Sequence, residues 1–140
     1  MRHVFLVVCA IVAVAMLPAV RPAESKPDDQ SLEVLPDADG IQRAMIILDS
    51  YSYSPNHLIV QKGKPVELTL HSVTFLTPHN FVVKEPAAGL SVEEDVPAGK
   101  DKIVRFTPTQ PGTYPFYCDK KLLFFKSHRD KGMEGLLEVR

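Results

Sequence analysis

Residues 111–118 read Pro-Gly-Thr-Tyr-Pro-Phe-Tyr-Cys, and this octet decides the fold. Pro111-Gly112 is a turn pair: proline presets one backbone angle, and glycine accepts the conformations that a reversal needs. Beyond it, Tyr114, Phe116 and Cys118 fall on one face. A period of two is the mark of a half-buried strand, so the Cys118 sulfur, at the strand's end, is expected to point toward the core. The same period recurs upstream. Val66, Leu68 and Leu70 alternate with Glu67, Thr69 and His71, and Lys102, Val104 and Phe106 alternate again. Residues 41–48, 58–60, 79–84 and 135–139 are further short apolar segments bounded by turns. Residues 51–56, with Pro55, read as a turn, and residues 85–99, with Glu93, Glu94 and Asp95, as a long loop. Seven or eight short strands with little helix predict an all-β, two-sheet sandwich.

Composition bounds the function. The chain has 140 residues, 45% hydrophobic and 24% charged, with a formal net charge of -1; that is one ordinary globular domain. A near-neutral chain lacks the basic footprint that nucleic acid requires. There is no GxxxxGK[ST], GxSxG, HExxH or CxxC pattern, so the commonest enzyme signatures are absent and a non-enzyme is expected.

Arg2 and His3 precede an uncharged apolar run from Val4 to Leu17. The run is short for a bilayer span but fits the core of a secretory signal. Residues 1–25 are therefore expected to be a signal peptide, cut after Ser25 or after Ala19, and the protein to be periplasmic or secreted, without a stable membrane span once cleaved. Residues 26–40, rich in Pro, Asp and Glu, are expected to be a flexible lead-in, and residues 41–140 the domain. Cys9 lies in the leader, which leaves Cys118 as a lone cysteine that can make no internal disulfide.

Four side chains stand out: His79, Cys118, His128 and Met133. Each alone has a duller reading, as a strand-end histidine, a small buried apolar group, a solvated histidine or core filler. Together they supply imidazole, thiolate, imidazole and thioether, the donors of a mononuclear blue-copper centre, with three strong ligands near a plane and a weak axial sulfur. His71 is the substitute nitrogen donor, disfavoured because it lies on the wet face of its strand; His57 is expected at a solvated turn.

With these residues in view, the sequence resembles the cupredoxin family, the plastocyanin, pseudoazurin and azurin group. The matching stretches are Tyr53-Ser54-Pro55-Asn56, Val60-Gln61-Lys62-Gly63-Lys64-Pro65-Val66, Pro78-His79-Asn80-Phe81 and Phe106-Thr107-Pro108. They continue with Pro111 to Cys118 and His128 to Gly135. The resemblance implies a Greek-key sandwich with one copper ion, cycling between Cu(I) and Cu(II), near one end. His79, Cys118 and His128 would be the equatorial ligands and Met133 the axial one. Asn80 would tie the two ligand loops together by hydrogen bonds. The implied function is one-electron transfer between redox partners by a monomer. The alternative is copper delivery, storage or tolerance without redox turnover.

One feature departs from the family. Nine residues, DKKLLFFKS, separate Cys118 from His128, against a usually short gap. Lengthening a short loop to this size costs roughly 1.3 kcal/mol in closure entropy, which metal binding can offset. Leu122, Leu123, Phe124 and Phe125 form an apolar quartet among Lys120, Lys121, Lys126, Arg129 and Lys131, and residues 119–131 carry a net +3. Two fates are open to it. The quartet folds back as a lid over the metal end, or it is a docking patch for an acidic partner protein or an anionic surface.

Overall fold

The computed structural model describes residues 31–140. The expected leader, residues 1–25, and residues 26–30 of the expected lead-in lie outside the described residues. In chain order the strands are β1 (Ser31–Glu33), β2 (Gln42–Asp49), β3 (Ser52–Ser54), β4 (His57–Val60) and β5 (Val66–Ser72). They continue with β6 (His79–Glu85), β7 (Leu90–Val96), β8 (Asp101–Phe106), β9 (Gly112–Tyr117) and β10 (Glu134–Val139). Two short 3-10 turns, Pro86–Ala88 and Arg129–Lys131, are the helical elements among the described residues. No helix there is long and apolar enough to cross a membrane.

Period two becomes packing. In β5 the buried residues Val66, Leu68 and Leu70 alternate with the wetter Glu67, Thr69 and His71. The strands form a six-stranded sheet, β1-β4-β10-β9-β6-β7, and a four-stranded sheet, β3-β2-β5-β8. Both are mixed: β1 and β10 pair parallel with β4, β2 pairs parallel with β5, and β9 runs antiparallel to β10 and β6. Ile46, Leu48, Leu68 and Leu70 from one sheet and Leu58, Phe81, Phe116 and Leu137 from the other share a single buried core. Each such side chain contributes roughly 1.5–3 kcal/mol by leaving water. The architecture is the expected all-β sandwich.

Three expectations fail. Residues 51–56 are not simply a turn, since Ser52–Ser54 form β3 and pair antiparallel with β2. Residues 85–99 are not a long loop: after a 3-10 turn they form β7, paired antiparallel along the whole of β6. The acidic residues suggested solvent, but they lie on an edge strand and each meets a lysine. Glu93 meets Lys84 at 3.2 Å, Glu94 meets Lys102 at 3.3 Å, and Asp95 meets Lys120 at 2.7 Å. Charge on an edge strand also discourages edge-to-edge association. Nor are residues 31–40 a flexible lead-in. β1 pairs with β4, Val34 is buried, and its N–H donates to the Ile59 carbonyl at 2.8 Å. The polar residues that suggested mobility close a turn, where Arg43 bonds Asp37 at 2.9 Å and Asp39 at 2.8 Å. Arg43 holds the Asp39 carboxyl at about 2, below the ordinary range.

At one end of the sandwich lies an aromatic floor. Phe81 and Phe116 stack at 5.1 Å, and Tyr53 meets Phe116 edge-on at 5.1 Å. Gly135 on β10 is required there, because a Cβ would strike the Phe116 ring and the Asn56 carbonyl.

Candidate metal centre

Above the aromatic floor, three segments converge. Cys118 follows the last residue of β9. The alternation that buries Phe116 carries on to it, and its side chain is fully buried. His79 opens β6 after Thr77-Pro78 and is also fully buried, while His128 is 8% exposed. Their donor atoms meet: His79 Nδ1 lies 3.2 Å from His128 Nδ1, and Cys118 Sγ lies 3.3 Å from His128 Nδ1. All three donors lie within 4.8 Å of one another, a group that could hold a metal ion. Met133 is fully buried in the same core.

The main chain explains how a long loop reaches this arrangement. The His128 N–H donates to the Lys120 carbonyl at 2.8 Å, which pinches residues 121–127 off as a finger. Below the pinch, the Cys118 N–H donates to the Met133 carbonyl at 3.1 Å. The Arg129 N–H donates to Cys118 at 2.8 Å and the Met133 N–H to His128 at 2.9 Å. Gly132, at φ +100°, closes the 3-10 turn between His128 and Met133, a left-handed conformation that glycine adopts without a Cβ penalty. The finger therefore leaves the spacing of the donors to its base.

Asn80 bridges the two donor segments. Its side-chain amide donates to Asp119 Oδ1 at 2.8 Å and accepts from the Asp119 N–H at 3.1 Å, while its own backbone N–H points at Cys118 Sγ at 3.4 Å. Tyr53 locks the Asn80 carbonyl from below, its hydroxyl donating at 2.6 Å. Burial holds that phenol protonated, far above its ordinary range. Asp119 and Tyr53 were not singled out in the sequence; adjacency to Cys118 was the one available sign for Asp119. Tyr51 was also missed. Its ring stands edge-on to His128 at 4.9 Å, and Lys131 donates to its hydroxyl at 3.0 Å.

The electrostatics suit a cation. Burial lowers the His79 pKa to about 4, helped by the nearby His128 and opposed by Asp49. Burial, with Lys131, lowers that of His128. Both rings are therefore neutral near pH 7, the form that presents a lone pair to a metal. Burial raises the Cys118 thiol pKa, against the backbone N–H groups of Asn80 and Lys120, which favour the thiolate. His79 Nε2 is buried without a hydrogen-bond partner among the described residues. Two neutral imidazoles and a thiol brought together in one buried site fit a soft or borderline metal ion.

The other histidines lie elsewhere. His71 bonds Asp101 at 2.6 Å on the β5–β8 surface, outside the trio. His57 is not at a solvated turn; it opens β4, half-buried, 3.2 Å from Glu138. The quartet of the finger is not a lid. Leu122, Leu123, Phe124 and Phe125 are 64–96% exposed, because the pinch at Lys120 and His128 aims the finger outward. With Tyr51, Leu76 and Pro78 the finger borders a groove of about 480 Å³ that reaches His128.

A family model for the cupredoxin-like domain matches residues 7–132. Among solved structures, the metal-binding domain of the Cu(I)-exporting P-type ATPase CopA of Streptococcus pneumoniae D39, solved with Cu(I), is 25% identical. It covers 80% of this chain and 97% of that one, with a TM-score of 0.60. Dithionite-reduced auracyanin from Roseiflexus castenholzii is 21% identical, covering 70% and 96%, with a TM-score of 0.56. Auracyanin A, a "blue" copper protein from Chloroflexus aurantiacus, is 17% identical, covering 72% and 100%, with a TM-score of 0.54. The two auracyanins share the fold with this chain. No curated protein matches it.

Proposed function

This chain belongs to the cupredoxin-like domain family, and from that premise we propose that it binds one copper ion and passes single electrons between redox partners. One observation carries the reading: two imidazole nitrogens and one cysteine sulfur, from distant parts of the chain, meet within 4.8 Å in a buried site. His79, Cys118 and His128 would be the strong ligands, and the buried Met133 would offer a weak thioether donor. Copper supplies the Cu(I)/Cu(II) couple. The chain's residues do the rest. Burial excludes water, and the Asn80–Asp119 pair and the 118–133 main-chain bonds hold the donors fixed, so an electron comes and goes with little rearrangement. His128, at the groove, is the edge nearest solvent and the port for the electron. The protein acts as a carrier and not as an enzyme, and it works outside the cytoplasm after export by residues 1–25.

A second reading is favoured by the Cu(I)-bound domain of the exporting ATPase: delivery, storage or tolerance of copper without redox turnover. The two readings differ in exchange. A carrier of electrons keeps its copper through both redox states; a carrier of copper yields it to a competing chelator.

Adding Cu(II) to the protein should produce an intense visible thiolate-to-copper absorption, absent in Cys118→Ser. Equal copper affinity in that variant would defeat the assignment. His128→Ala should lose the band and His71→Ala keep it. Repeated oxidation and reduction against a chelator separates the two readings by whether the band survives.

A further inference from the structure

We propose that residues 122–125, with Phe75 and Leu76, form an insertion tip that docks this end of the molecule on an anionic lipid surface. Phe124 is 96% exposed, Phe75 91% and Leu76 81%. Such exposure is unusual for one large apolar residue and more so for six on two neighbouring loops, since water opposes it. The loops share one site, because Leu76 borders the same groove as Leu122 and Phe125. The tip is built to project. The Phe125 N–H closes a tight turn on the Leu122 carbonyl at 2.9 Å, and Leu123 takes a left-handed φ of 48°, a conformation that disfavours a non-glycine residue.

Charge selects the surface. Lys120, Lys121, Lys126 and Lys131 line the groove beside the tip. Residues 119–131 carry +3 in a chain whose net charge is -1. Lys121 and Lys126 make no ion pair among the described residues. Apolar side chains standing beyond a collar of ammonium groups match a bilayer boundary, where anionic headgroups overlie acyl chains. A folded partner would need a deep complementary cleft for Phe124, whereas lipid accepts any projecting shape. Docked this way, the groove beside His128 faces the membrane plane, so the inference deepens the proposed electron or copper exchange by siting it against membrane-held partners.

The test exploits the absence of tryptophan from the chain. The full chain carrying Phe124→Trp is mixed with phosphatidylglycerol-rich vesicles or with phosphatidylcholine vesicles, with and without brominated lipid. Leu35→Trp, exposed near the opposite end, is the control. The expected result is a blue shift and bromine quenching for Phe124→Trp on anionic vesicles, a much smaller effect on zwitterionic ones, and neither for Leu35→Trp. Because the apolar run at residues 4–17 can bind vesicles by itself, the position of the fluorophore carries the result and not sedimentation. Replacing Lys121 and Lys126 together by Glu should remove the preference for anionic lipid. Phe124→Ser should weaken contact of the tip about tenfold or more, read as lost protection of a spin label at Lys121→Cys. No shift for Phe124→Trp on anionic vesicles, or the same shift on both lipids, overturns the proposal and leaves a protein as the occupant. The fluorescence reads the tip whether or not copper is bound, so its failure is separable from failure of the metal assignment.

Discussion

At the scale of single residues, burial decides the chemistry. His79 and Cys118 are fully buried, and each is driven toward its neutral form. In the metal-free protein this has a pH signature. Unfolding lets His79 return from about 4 to its ordinary 6.5. Its contribution to stability is then complete above pH 6.5 and lost as the pH falls toward 4, at most about 1.4 kcal/mol per pH unit for each such ring. His128 acts in the same direction. Cys118, whose pKa is raised in the folded state, withdraws stability as the pH climbs above its ordinary 9.0. Urea denaturation of the copper-free protein should therefore show a stability plateau between roughly 6.5 and 9; constant stability from pH 4 to 7 would contradict it. Met133 differs, since a thioether would be only a weak ligand. Met133→Leu should retain copper and its visible band while the reduction potential rises, measured by voltammetry against the parent protein.

Elements explain why the insertion does no harm. Closure entropy is charged to the whole nine-residue loop only if the loop closes at its ends. Here the bond from His128 to Lys120 closes it locally, and the 118–133 network below that bond keeps its own short connections. Excising residues 121–127 and joining 120 to 128 through two glycines turns that bond into an ordinary β-turn bond. The shortened protein should keep the visible band within a few nanometres, roughly the position of the parent, and lose vesicle contact. Loss of the band would mean that the finger, not its base, sets the donor geometry. The same scale shows where periodicity misleads. β7 carries three consecutive acidic residues between Val92 and Val96, so its composition resembles a loop although it pairs as an edge strand. β1, with three exposed residues, has no apolar period to read; its pairing to β4 holds it.

For the whole molecule, metal and fold are linked. Ligands collected from three separated segments exist as a site only in the folded chain, so metal binding is also folding energy. With free copper about a thousandfold above its dissociation constant, mass action adds roughly 4 kcal/mol. For a domain of this size that corresponds to a rise in Tm on the order of 15 °C or more. Scanning calorimetry should show the shift with copper, its reversal by a chelator, and little of it in Cys118→Ser. An equal shift in that variant would place the metal elsewhere.

The amino-acid sequence determined the strands at 66–72, 101–106 and 112–117, because alternation of apolar and polar groups is a local property that backbone geometry converts directly into faces. It also supplied the donor chemistry of His79, Cys118, His128 and Met133, since imidazole and sulfur keep their affinities wherever they stand. Tertiary structure alone decided that three of those donor groups converge, that Asp119, Tyr53 and Tyr51 frame them, and that the finger points into solvent and not over the site. Those outcomes depend on contacts between residues tens of positions apart and on one main-chain bond at the finger's base. No local period encodes either.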